Sequence, residues 1–379
     1  MKIEQDIWTR SNGWRTGNGK EPKPTYQLVL LFGSAACLNT PETLTDIKTR
    51  YPNARMFGCS TAGEICGTEV VDHSLVLTAI EFEYTNFLCT FAAADENVSS
   101  FGAGVQLARA LPRDNLRHLF VLSDGLHVNG SALVEGLQQE LPESVTVTGG
   151  LSGDGMRFRE TLVMTDDGPK SKTIAALGFY GDRLKIGFGS LGGWDPFGPE
   201  RVVTRSDGNV LFEMDRKSAL DLYKAYLGDH AKDLPASGVM FPLAVRIPGS
   251  DRAVVRTILS VNEDQSSMTF AGDIPQGSRA RLMRANLDRL VDGSIGAARI
   301  SREAIGSVPP QLAILVSCVG RKLALRQRIE EEIEGVEDVL GEEAALIGFY
   351  SYGEIAPGAP GMRCELHNQT MTVTTISEV

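Results

Sequence analysis

Gly58-Cys-Ser-Thr-Ala-Gly-Glu-Ile65 and Gly348-Phe-Tyr-Ser-Tyr-Gly-Glu-Ile355 repeat one pattern, G-x-x-x-x-G-E-I, near opposite ends of the chain. Each follows a short apolar run, and the similarity extends outward on both sides. Upstream, Gln27-Leu-Val-Leu-Leu-Phe-Gly-Ser34 parallels Gln311-Leu-Ala-Ile-Leu-Val-Ser-Cys318. Downstream, His73-Ser-Leu-Val-Leu-Thr-Ala-Ile80 parallels the stretch from His367 to Ile376. Short β-branched and leucine runs alternate with stretches at helical spacing (Glu42 to Tyr51, Arg326 to Leu340), which is the signature of strand-helix-strand units. The sequence therefore predicts an α/β protein with mixed sheets in two domains, built on an internally duplicated strand-helix-strand unit. A more divergent middle copy reads as strand His118 to Asp124, helix Gly130 to Glu140 and the turn Val147-Thr-Gly-Gly-Leu-Ser-Gly-Asp154, one residue shorter. An acidic residue follows the closing glycine in all three: Glu64, Asp154 and Glu354.

The rest of the chain frames these copies. Residues 1–24 are polar, end in Pro22-Lys-Pro24, and read as a flexible N-terminal arm, with order expected from Tyr26. Seven glycines and five aromatics fall in the 22 residues from Gly178 to Pro199, a segment expected to form a rigid wall that includes Trp194. Ser218 to Leu227 reads as a helix, and a domain boundary is placed near 218. The run Leu282 to Leu290 reads as an amphipathic core helix. Arg321, Lys322, Arg326 and Arg328 read as a solvated basic face.

The 379 residues carry 37 basic and 48 acidic side chains, a formal charge of −11. No long-range field gathers phosphate backbones, so nucleic acid is not expected as a partner. No apolar run reaches membrane-spanning length and no signal-peptide pattern opens the chain; membrane insertion is not expected and a cytoplasmic location is. The six cysteines form no CxxC pair, against a disulfide framework or structural zinc.

The candidate chemistry centres on the two turns. A strand ending in small residues exposes backbone N–H groups where α/β sheets bind ligands. This puts Gly58, Cys59, Ser60, Thr61, Gly63 and Glu64 beside a ligand, and likewise Tyr350, Ser351, Tyr352, Gly353 and Glu354. Asp154 joins them from the middle copy. The competing reading is that the glutamates cap a following helix or bond to the backbone of their own turns. Neither turn is a Walker A loop, since no lysine follows the second glycine. His127, in the loop Ser123-Asp-Gly-Leu-His-Val-Asn-Gly130, is the histidine best placed as ligand or base. Cys59 and Cys318, at strand ends, are the candidate nucleophiles if the protein is an enzyme.

These motifs, with Asp124-Gly-Leu-His-Val-Asn-Gly-Ser131, Gly192-Gly-Trp-Asp-Pro-Phe-Gly-Pro199 and Leu222-Tyr-Lys-Ala-Tyr-Leu-Gly228, resemble the FIST proteins (F-box and intracellular signal transduction). The resemblance covers the chain from about residue 26 to its end. It implies a FIST N-type sensory domain over 25–218 and a FIST C-type domain over 219–379. It also implies a small ligand, amino acid-like among the options, and output through a signalling partner such as a histidine kinase. Some members are haem proteins that sense nitric oxide, so the resemblance admits haem as a cofactor; it assigns no metal ligand and no catalytic residue here.

Overall fold

The computed structural model describes residues 1–16, 21–94, 98–249, 252–359 and 361–379. Its core is the same four-stranded sheet built three times. In each, two parallel strands are joined through a helical connection: Leu28–Gly33 with Arg55–Ser60, Leu116–Ser123 with Thr146–Leu151, and Leu312–Cys318 with Ala345–Ser351. An antiparallel strand lies on the far side of the first: Ser74–Glu81, Thr173–Tyr180 and Met371–Glu378. A fourth completes the edge: Lys2–Thr9, Asn86–Ala93 and Leu184–Leu191. The middle copy is thus a full unit, and the mixed α/β class expected from sequence holds.

The three units close into a ring because each lends a hairpin to a neighbour. After its second parallel strand, the first unit sends Glu64–Cys66 to pair with Ala345–Ser351 of the third. The third sends Gly353–Pro357 to Thr146–Leu151 of the second, and the second sends Val163–Thr165 to Arg55–Ser60 of the first. The turns repeat the cycle in single hydrogen bonds: Ala62 N–H donates to Tyr350 O (2.8 Å), Tyr352 N–H to Leu151 O (3.1 Å), and Gly153 N–H to Ser60 O (2.9 Å). These positions are equivalent in the sequence repeat. Inside the ring the sheet faces share one apolar core, with Phe32 against Phe349 (centroids 4.6 Å apart) and Phe57 against Phe120 (6.3 Å).

The first glycine of each copy has one physical reason. A Cβ on Gly58, Gly149 or Gly348 would lie 1.8, 1.9 or 2.1 Å from the carbonyl oxygen of Leu31, Val121 or Leu315 on the adjacent parallel strand. The close approach leaves no room for a side chain.

Residues 195–284 form an insert with its own sheet and its own core around Tyr223, Phe270 and Leu282. Residue 218 falls inside this insert, where Lys217–Ser218 pairs with Val210–Met214 ahead of the helix Ala219–Leu227.

Four sequence expectations are corrected. The N-terminal arm is in large part a strand: Lys2–Thr9 pairs in full register with Ser74–Glu81. Its polar side chains are occupied, Glu4 by Lys23 and Arg50, and Asp6 by Arg50 and Thr16. Residues 17–20 of the arm lie outside the described residues. The glycine- and aromatic-rich segment is largely two strands, and Gly187 and Gly189 serve the approach of the helix Leu287–Ile305, whose Ser301 and Ala297 carbonyls would clash with a Cβ. The run from Leu282 begins as strand, and its helix starts only after the Asn286 cap. Arg321 is fully buried rather than solvated, paired with the fully buried Glu332 at 2.7 Å and donating to Leu290 O at 2.7 Å.

Gly348→Ala is expected to destabilise the protein by about 3 kcal/mol or more, since the obstacle is backbone rather than a side chain that can swing aside. Gly102→Ala, in the helix Ser100–Ala110 where a Cβ meets only Ser99 Oγ at 3.2 Å and Val98 at 3.8 Å, is expected to stay within about 1 kcal/mol of wild type. Urea denaturation of both variants checks this.

Candidate functional site

A cavity of about 580 Å³ lies where the second and third units meet under the insert. The second unit contributes the loop Gly125 to Asn129 together with Leu151, Met156 and Phe158. The third contributes Tyr352 and the stretch Cys318 to Gly320 with Leu323. The insert roofs it with Asn209, Asp233 to Ala236, Val239, Thr257 to Leu259 and Phe270 to Gly272. Most of this wall is apolar, as in small-molecule sites.

The loop at its floor is shaped by Asp124, whose Oδ1 accepts from the backbone N–H groups of Leu126 and His127, each at 2.8 Å. The His127 ring donates through Nδ1 to the same oxygen at 3.1 Å. The ring is 41% exposed. Phe158 stacks on Tyr352 with centroids 4.6 Å apart and planes 18° from parallel. The Tyr352 hydroxyl donates to Asp154. Burial works against the charge of Asp154, yet this hydroxyl and the N–H groups of Phe158, Arg159 and Glu160 hold its carboxyl below the usual range. Asp154 thus shapes the cavity wall from behind. Thr257 is buried and its hydroxyl has no hydrogen-bond partner among the described residues.

Of the residues singled out in the sequence, His127, Tyr352 and Cys318 line this cavity. Gly58, Cys59, Ser60, Thr61, Gly63, Glu64, Tyr350, Ser351, Gly353 and Glu354 are packed inside the ring of turns. Glu64 is 1% exposed; it accepts from Thr61 Oγ1 at 2.5 Å and from Ser74 N and Oγ at 3.1 and 2.7 Å. Glu354 repeats this with Ser351 Oγ at 2.6 Å and Thr370 N and Oγ1 at 3.1 and 2.9 Å. Each glutamate therefore ties a hydroxyl of its own turn to the start of the next strand, which is neither a helix cap nor a bond to the turn's own backbone. Trp194 is buried and donates through Nε1 to Gln369 O at 2.8 Å, away from the cavity lining.

The thiols differ in place but not in tendency. Cys59 is wholly enclosed and Cys318 lines the cavity, and burial pushes both well above the ordinary thiol range. That is the opposite of nucleophile activation.

The N-terminal and C-terminal halves of the chain match two family models, the FIST N domain over residues 27–217 and the FIST C domain over 219–357. The chain belongs to the FIST family. The sequence is also similar to an uncharacterised protein of Methanocaldococcus jannaschii, 22% identical over 343 residues that cover 81% of this chain and 65% of that protein. The chain thus spans about two thirds of the length of that curated relative. Among solved structures, a cyanuric acid hydrolase from A. caulinodans aligns with all of this chain and 98% of its own at a TM-score of 0.33 and 9% identity.

Within this FIST chain, the cavity residues missed from sequence are those of the insert and the loop around Met156 and Phe158. Haem in this cavity would find an imidazole in His127, but among the described lining residues no lysine or arginine faces its propionates. The wall does not fit that group. No described helix is long and apolar enough to cross a membrane.

Burial raises both Glu64 and Glu354 to about 7, with the hydroxyl and N–H donors opposing the rise. Folding therefore favours their protonated forms, a stabilisation present below about pH 4.5 and lost as pH rises through about 7. The expected result is a urea midpoint that falls between pH 5 and pH 8, roughly the window bracketing that value. The fall should be smaller in the Glu64→Gln/Glu354→Gln variant.

Proposed function

We propose that this FIST protein is a ligand-binding sensor whose small molecule sits in the cavity between the ring and the insert, with output read by a partner protein such as a histidine kinase. The observation that carries the reading is the cavity itself: about 580 Å³, mostly apolar, with one polar loop organised by Asp124. The FIST family's association with signal transduction supports the sensory role.

Insert and ring meet through polar contacts at several points. Asn129 Nδ2 donates to Asp273 at 3.1 Å, Arg256 Nη1 to Leu366 O at 2.9 Å, and Gln369 Nε2 to Val239 O at 3.2 Å. Arg252 Nη1 donates to Gly358 O at 2.5 Å, and Asn286 and Arg289 to Asp195 at 2.9 and 2.7 Å. A ligand touching both bodies therefore binds best when they are closed on it, and shifts their population toward that state. A partner recognising that arrangement would turn occupancy into a signal.

Ala236 is exposed at the cavity lining, so a large side chain there obstructs the space with little burden on the fold. In a thermal-shift screen of free amino acids and small aromatic metabolites, ligands of this site raise the melting temperature of wild type and fail to do so for Ala236→Trp. Compounds that stabilise both proteins equally would place binding elsewhere and contradict the proposal.

A further inference from the structure

The composition of the wall narrows the ligand. We infer that the cavity takes a planar aromatic molecule that is neutral or carries a cationic end, and that it rejects anions. This rests on the cavity being the ligand site, as proposed above.

Three observations point the same way. Met156, Phe158 and Leu259 are 50%, 43% and 45% exposed, large apolar side chains left open on one cavity. Phe158 is already one member of a stacked pair with Tyr352, so its outer face offers a surface on which a further ring can stack. The charged side chains favour one sign. Asp233 lines the cavity, exposed and with no ion pair among the described residues, whereas no described lysine or arginine lines it.

Three neighbouring cations are committed elsewhere. Arg256 lies behind Gly272 and donates to Asp273 O at 3.1 Å and Leu366 O at 2.9 Å. Lys322 turns away to Ala62 O, at 3.0 Å, and Asp72. Arg157 is drawn to Asp154, with Nε 3.0 Å from its carbonyl oxygen. An anionic ligand would lose its hydration without a cation in return. The polar groups open to a ligand suit a neutral or basic compound: the Thr257 hydroxyl, which has no partner among the described residues, the second ring nitrogen of His127 and the Asp233 carboxylate. A free amino acid, with a carboxylate to satisfy, is the poorer match.

Three probes with one ring system separate the cases: 2-naphthylmethanol, 2-naphthylmethylamine and 2-naphthoate, titrated into the full chain and followed by calorimetry. The alcohol and the amine are expected to bind, and the naphthoate roughly tenfold more weakly or not at all. Phe158→Ala should weaken the first two by up to about tenfold. Asp233→Asn should remove any advantage of amine over alcohol. Naphthoate binding as tightly as the alcohol would overturn the inference, as would indifference to Phe158→Ala or failure of both alcohol and amine to bind. Ala236→Trp distinguishes the two levels. If naphthoate binds well and the variant abolishes it, the ligand class is wrong and the site stands. If binding survives the variant, the site itself is wrong.

Discussion

Everything in this structure depends on the closure of three turns into a ring. Ala62, Gly153 and Tyr352 each donate one backbone N–H to the strand end of the next unit, and the hairpins that follow are exchanged in the same order. Closure requires the second parallel strand of each unit to press against the first, and that approach is open only to glycine at 58, 149 and 348. Once the ring is closed, its turn residues have no freedom left. Glu64 and Glu354 are consumed in holding the turns to the strands that follow, through bonds that repeat from one unit to the other.

A ring of like units offers three junctions, and two of them are bridged directly. Between the third and first units the Lys322 side chain occupies the space over Gly63 and bonds Ala62 O. Between the first and second, Ser60 and Leu162 bond each other through both N–H groups, at 2.8 Å each. The junction of the second and third units differs because the chain leaves the ring at Leu191, builds the insert, and returns over this junction before the helix Leu287–Ile305. The site arises where the threefold arrangement is broken. That is a physical reason for a ligand there to report on how insert and ring are packed.

The strands of the ring were legible because buried strands and glycine turns leave local signals: Leu28–Gly33 and Ser74–Glu81 overlap the repeated stretches 27–34 and 73–80, and Arg55–Ser60 runs into the first glycine turn. The strand Lys2–Thr9 was not, since an edge strand whose polar side chains are matched by Arg50, Lys23 and Thr16 looks in sequence like a polar arm. The glutamates of the repeat were found but their role was not, because a buried carboxylate serving its own turn and one serving a ligand have the same sequence. His127 was singled out by its loop and Tyr352 by its turn, and both line the cavity. Phe158, Thr257 and Asp233 carry no local signal; they meet only through the exchange of hairpins and the docking of the insert.

The most direct measurement of this account is hydrogen–deuterium exchange of the full chain with and without saturating 2-naphthylmethanol. The account predicts slowed exchange in residues 125–129, 233–239, 257–259 and 318–323, drawn from both sides of the cavity, with the turns at 58–65 and 348–355 unchanged. Protection confined to those two turns, or to one side of the cavity alone, would contradict it.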